Sequence, residues 1–99
     1  MSWFVISLEY VKPLADVDAA MKAHVAFLER HQAKGTFIAW GRKVPRTGGI
    51  ILAQGDDRAA IEKAMTEDPF VTKKLAKVEI TEFSPKPPAV VAAFEQFLV

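Results

Sequence analysis

From Trp3 to Tyr10 two sets of positions alternate, Phe4, Ile6, Leu8 and Tyr10 against Trp3, Val5, Ser7 and Glu9. A period of two predicts a strand, and Pro13 ends it. The period then changes. Leu14, Val17, Met21, His24 and Leu28 recur at three- and four-residue steps, which predicts one helix from Leu14 or Asp16 to about Lys34. Ala20 and Phe27 flank that stripe, and Gly35 is its natural stop. Thr36–Arg42, with Phe37, Ile38 and Trp40, predicts a second strand, and Val44-Pro45-Arg46-Thr47-Gly48-Gly49 has turn chemistry. Ile50–Gln54 is short and apolar on both sides, as a central strand requires. Gly55-Asp56-Asp57 supplies a loop and N-cap for a second helix over Arg58–Thr66, whose inner face carries Ile61, Ala64 and Met65. Pro69 to about Lys74 allows one more helical turn, and Val78–Phe83 is a fourth strand. Pro85, Pro87 and Pro88 interrupt regular structure. Ala89–Val99 then places Val90, Val91, Phe94, Phe97 and Leu98 at helical spacing.

The order β-α-β-β-α-β plus a helix predicts an α+β, ferredoxin-like fold with an antiparallel sheet and helices on one face. Residues 1–84 form this domain, and residues 85–99 are a proline spacer and terminal helix. That helix either contacts another subunit or folds back over its own sheet. Such a sheet leaves its second face bare, here with Trp3, Val5 and the central strand on it. At 51% hydrophobic, the chain has more apolar surface than one small core needs. Both features predict sheet-to-sheet pairing into a dimeric α+β barrel, a homodimer or higher homo-oligomer.

Charge narrows the partners. Thirteen basic and twelve acidic residues leave a net charge of +1, which gives no footprint for nucleic acid and no polybasic membrane signal. The third strand, Ile50-Ile51-Leu52-Ala53, also lacks the aromatics with which RNA-binding sheets of this strand order stack bases. No apolar run approaches a membrane span, and residues 1–10 enter a strand pattern directly, so a cytoplasmic protein is the expectation. The absence of Cys excludes thiolate catalysis and disulfides.

His24 is a titratable ring within an apolar stripe. It is either a satisfied core imidazole or a general acid/base lining a pocket between helix and sheet. Asp68, before Pro69, has the form of an N-cap followed by proline at the first helical position. A carboxylate fixed in that way can also orient an imidazole and stabilise its charged form. His31, seven residues beyond His24, suits a helix C-terminus and cannot complete an i, i+4 metal pair, so no metal and no cofactor are expected. Arg46, beside Gly48-Gly49, and Arg42 either bind an anionic group or sit on a solvated hairpin. Trp40 and Tyr10 either line an aromatic-friendly pocket or belong to the core.

Taken together, an early strand, Ala23-His24 on a helix, a strand reaching Gly41, Pro45-Arg46-Thr47-Gly48-Gly49, and Asp68-Pro69-Phe70 before a last strand form a recognisable pattern. It resembles the YciI-like family of the dimeric α+β barrel superfamily, over about residues 3–84. The resemblance implies a dimer through the sheet and a pocket with a His–Asp dyad, carried here by His24 and Asp68. It implies acid/base chemistry on small polar or aromatic compounds, as in a related dehydrochlorinase and in muconolactone isomerases. One departure stands out. Many members carry Ser-Gly-Pro where this chain has Trp40-Gly41-Arg42, so a hydroxyl gives way to a bulky ring and a cation is added. Two functions follow. One is a cofactor-independent lyase, isomerase or dehydrochlorinase acting on a small anionic or aromatic ligand. The other is a non-catalytic dimeric module that binds such a ligand or serves a partner.

Overall fold

The computed structural model describes residues 1–96. Four strands, β1 (Ser2–Tyr10), β2 (Phe37–Arg42), β3 (Gly48–Gly55) and β4 (Ala76–Phe83), form one sheet in the order β2-β3-β1-β4. Every neighbouring pair is antiparallel. Between them run α1 (Leu14–Ala19), α2 (Met21–Ala33), α3 (Arg58–Met65) and the single turn α4 (Pro69–Thr72); α5 (Pro88–Glu95) follows β4. This is the α+β ferredoxin-like arrangement expected from the strand periodicity.

The register assigns each side chain to a face. Phe4, Ile6 and Leu8 of β1 oppose Ala53, Ile51 and Gly49 of β3, and this face meets the helices. Phe4, Ile6, Phe27, Leu28, Phe37, Ile51, Ile61 and Phe70 are all buried there in one core cluster. Burying a side chain of this size contributes about 1.5–3 kcal/mol each, so this cluster is what holds the helices to the sheet. Trp40 pairs with Ile51 and Arg42 with Gly49, so both belong to the helix-covered face of edge strand β2. Trp3, Val5 and Ser7 lie on the opposite face, beside Leu52, Ile50, Thr81 and Phe83.

Three local details differ from the sequence pattern. The long first helix is two helices, separated at Ala20, a turn residue with φ −100°, ψ 0°. The apolar spacing runs through this break without interruption, and no Gly or Pro marks it. β3 begins at Gly48 rather than Ile50, because the glycine pair runs in the ladder instead of ending the turn. A Cβ on Gly48 would lie 1.8 Å from the Leu8 carbonyl oxygen, so only glycine permits the two strands to meet there. β4 likewise begins earlier, at Ala76. Gly35 ends α2 as expected, with a positive φ of 80°.

The terminal helix reaches its own sheet through an aromatic pair. Phe94 stands edge-on to Trp3, with ring centroids 5.7 Å apart. Trp3 also meets Phe83 edge-on at 6.2 Å. Phe97, Leu98 and Val99, the end of the expected helix, lie outside the described residues.

Candidate functional site

The sheet creates a hollow where its side chains become small. On the helix-covered face one row of the ladder reads Arg42, Gly49, Leu8. Gly49 leaves a gap in that row, and a Cβ there would approach only the Gly41 carbonyl oxygen, at 3.3 Å. Above the gap lies a cavity of about 300 Å³, near the lower bound for small-molecule sites. Tyr10, His24, Trp40, Arg42, Arg46 and Phe70 line it, together with aliphatic residues such as Met21, Val25 and Leu28.

His24 reaches this cavity from the middle of α2, with 7% of its surface exposed. Its Nδ1 lies 2.7 Å from Oδ1 of Asp68, which is wholly buried. Asp68 sits there because it caps α4. The same Oδ1 accepts the Phe70 backbone N–H at 2.9 Å, and Pro69 opens the helix. A carboxylate only accepts, so Nδ1–H donates and the neutral ring keeps its lone pair on Nε2. Nε2 makes no hydrogen bond to the described residues. The imidazole is held flat against the Phe70 ring, with centroids 3.8 Å apart and planes within 6°. One hydrogen bond and one stack therefore fix the ring in orientation and tautomer. Asp68 does not itself line the cavity.

The residues singled out in the sequence thus fall into one place. Tyr10, His24, Trp40, Arg42 and Arg46 share the cavity wall, and Asp68 stands behind His24. Arg46, 25% exposed at its side chain, donates from Nη2 to Asp18 of α1 and leaves Nε buried without a partner among the described residues. The hydrogen bond from Arg46 holds the Asp18 carboxyl below its usual range, with the charge of Arg42 also contributing. No group of three or more His, Cys, Asp or Glu side chains among the described residues is arranged to hold a metal. No helix among them is long and apolar enough to cross a membrane.

The profile of the YCII-related domain matches residues 2–84. The chain belongs to the YCII-related family. No curated protein matches it. Among solved structures, it is similar to the 5-chloro-2-hydroxyhydroquinone dehydrochlorinase TftG from Burkholderia phenoliruptrix, in complex with 2,5-dihydroxybenzoquinone. That likeness has a TM-score of 0.71 at 16% identity and covers 87% of this chain and 96% of that one. A second likeness is to SnoaB, a cofactor-independent oxygenase from Streptomyces nogalater, with a TM-score of 0.52 at 17% identity over 87% of this chain and 93% of that one. At these identities the likeness establishes a shared fold.

Within this YCII-related domain, a second His–carboxylate contact lies beside the first. His31 stands in the last turn of α2, as its sequence position suggested, and is only 4% exposed. It packs between Phe27 and Phe37, both centroids at 5.0 Å, and its Nε2 lies 3.1 Å from Glu67 Oε1. Two adjacent carboxylates, Glu67 and Asp68, thus fasten the α3–α4 connection to His31 and His24 of one helix. The signal in the sequence was the seven-residue spacing of the two histidines, which puts both on one side of α2. The hydrogen bond from His31 holds the Glu67 carboxyl below its ordinary value of 4.5. A depressed carboxyl contributes stability that is complete above the ordinary value and is lost as pH falls through the folded one. Glu67→Gln is therefore expected to lower stability modestly at neutral pH and to flatten the acid limb, so that the two proteins converge as pH falls below 4.5, as read by urea denaturation. A mutant acid limb as steep as that of the wild type would remove Glu67 from the acid response.

Proposed function

We propose that the protein is a small-molecule acid/base enzyme of lyase, isomerase or dehydrochlorinase type, needing no cofactor. The observation that carries this reading is the placement of His24. Its Nδ1 is 2.7 Å from a buried carboxylate, while the ring forms part of the wall of a ligand-sized cavity. An imidazole so held presents Nε2 to a bound compound and takes a proton from its carbon or hydroxyl. The electron pair left behind forms a new double bond. Either an anion then departs, as in elimination, or the proton returns at another carbon, as in isomerisation. Asp68 is a positioning residue: it fixes the tautomer and stabilises the imidazolium that forms on proton uptake. Arg42 and Arg46 supply positive charge for a carboxylate or phenolate, and Trp40, Tyr10 and Phe70 offer ring surfaces. The TftG complex gives this reading a chemical direction, since that enzyme holds a small oxygenated ring. The test is turnover of hydroxylated aromatic acids by the wild-type protein and by His24→Ala. Loss of turnover with retained ligand binding supports the reading; equal rates contradict it.

The working unit in this proposal is a homodimer. Val5, Ile50 and Leu52 are only half-buried on the uncovered face, beside an exposed Phe83, and α5 touches that face through Trp3. Pairing two such faces buries the apolar side chains that one copy leaves wet. Sedimentation at micromolar concentration should give twice the 10.9 kDa chain mass, and a monomer alone would contradict the pairing.

A further inference from the structure

The ion pair at the cavity rim is built from residues that sequence spacing does not connect. Arg46 comes from the β2–β3 connection and Asp18 from α1, 28 positions apart. Arg46 lines the cavity; Asp18 does not. No acidic side chain lines the cavity, whose cationic wall is Arg42 and Arg46. Among the described residues, Asp18 is the one carboxylate bonded to either arginine, and Arg42 makes no ion pair.

The arrangement leaves Arg46 half used. Its Nη2 is given to Asp18 while Nε is buried without a partner, although a guanidinium can present two parallel donors to one carboxylate. A buried donor without an acceptor is costly, so a ligand oxygen that meets it is rewarded. Asp18 itself is largely exposed. An exposed pair is weak, so an incoming anion can take Arg46 from Asp18 at small cost. Its own carboxylate also opposes anions that approach the same guanidinium.

We propose that Asp18 is a specificity-determining residue, which holds Arg46 while the cavity is empty and yields it to the carboxylate of a small aromatic acid. The ring of that acid lies among Trp40, Tyr10 and Phe70, and its carboxylate meets the Arg46 fork in place of Asp18. Neutral analogues gain nothing from the exchange, because they cannot compete for the guanidinium. The inference rests on the cavity being a small-molecule site and makes no use of proton transfer at His24.

Benzoate and its neutral counterpart benzamide are the probes, titrated into the full chain with NMR chemical shifts as the readout. Benzoate should bind the wild type and bind Asp18→Asn about fivefold more tightly, the gain expected from removing a weak competing pair. Benzamide should bind both proteins equally. Arg46→Gln should lose the preference for benzoate over benzamide. Asp18→Glu keeps the competing carboxylate and should bind benzoate like the wild type, which guards against a folding defect in the Asn variant. The proposal is overturned if Asp18→Asn leaves benzoate affinity unchanged or lower, if it tightens benzamide equally, or if benzoate binds neither protein at millimolar concentration. Benzoate binding with the expected Asp18 effect, in a protein that turns over no aromatic acid, would uphold this inference and sink the enzymatic reading.

Discussion

Asp68→Ala should cost about 3–4 kcal/mol of folding stability, the sum of a lost helix cap and a lost hydrogen bond to a charged group. The side chain has two jobs on one oxygen. Oδ1 caps α4 through the Phe70 N–H and accepts the proton of His24 Nδ1. Truncation leaves both donors unpaired in a site with no solvent, since Asp68 is 0% exposed. Loss of the cap alone accounts for about 1 kcal/mol. For a domain with about 5–15 kcal/mol in total, the combined loss should lower Tm by about 15 °C or more in calorimetry. Asp68→Asn separates the two jobs. Asn caps helices as well as Asp and nearly keeps its shape, so this variant should lose far less stability. It removes the negative charge behind His24, however, and should cost turnover about 10²–10⁴-fold. If Asp68→Ala melts within a few degrees of the wild type, the buried pair is not holding α2 to the α3–α4 connection.

His24→Ala has the second large effect, on chemistry. In the proposed mechanism the imidazole in the cavity wall is the acid/base, and general acid/base help is worth about 10²–10⁴ in rate. The variant should therefore fall by that factor in kcat while retaining ligand binding through Arg42 and Arg46. It also leaves Asp68 without its ring partner. The Phe70 N–H contact keeps the cap, but the wholly buried carboxylate loses its ring partner while Oδ2 has none among the described residues, so the variant should also lose stability. Equal losses in kcat and in ligand affinity would show that His24 shapes the pocket rather than moves a proton.

The fold was largely legible because β1 alternates cleanly, β3 is a short apolar run, and the turns carry Gly and Pro. The boundaries that moved have identifiable causes. The two helices part at Ala20, a residue that favours helices, so no local signal marks the break. Gly48 reads as turn but serves a ladder position where the Leu8 carbonyl leaves no room for a side chain. The site was partly legible. His24 drew notice as a ring in an apolar stripe, and Asp68 as a cap, but only the fold sets them 2.7 Å apart across 44 positions. The alternation of β2 also puts Trp40 and Arg42 on the cavity face, although aromatic residues on strands equally suit a core. Asp18 and Glu67 were not legible, because each is an ordinary acidic residue until a distant Arg or His is folded against it.

The central claim concerns one proton: it sits on Nδ1 of His24, donated to Asp68, and leaves Nε2 as the base that faces the cavity. Long-range ¹H–¹⁵N correlation of the imidazole, recorded on the wild-type protein with the ring neutral, reports this directly. The account predicts the Nδ1–H tautomer for His24, with a pyridine-like shift at Nε2. A protonated Nε2 with a bare Nδ1 would mean that Asp68 does not hold the ring, and would contradict the proposed proton transfer.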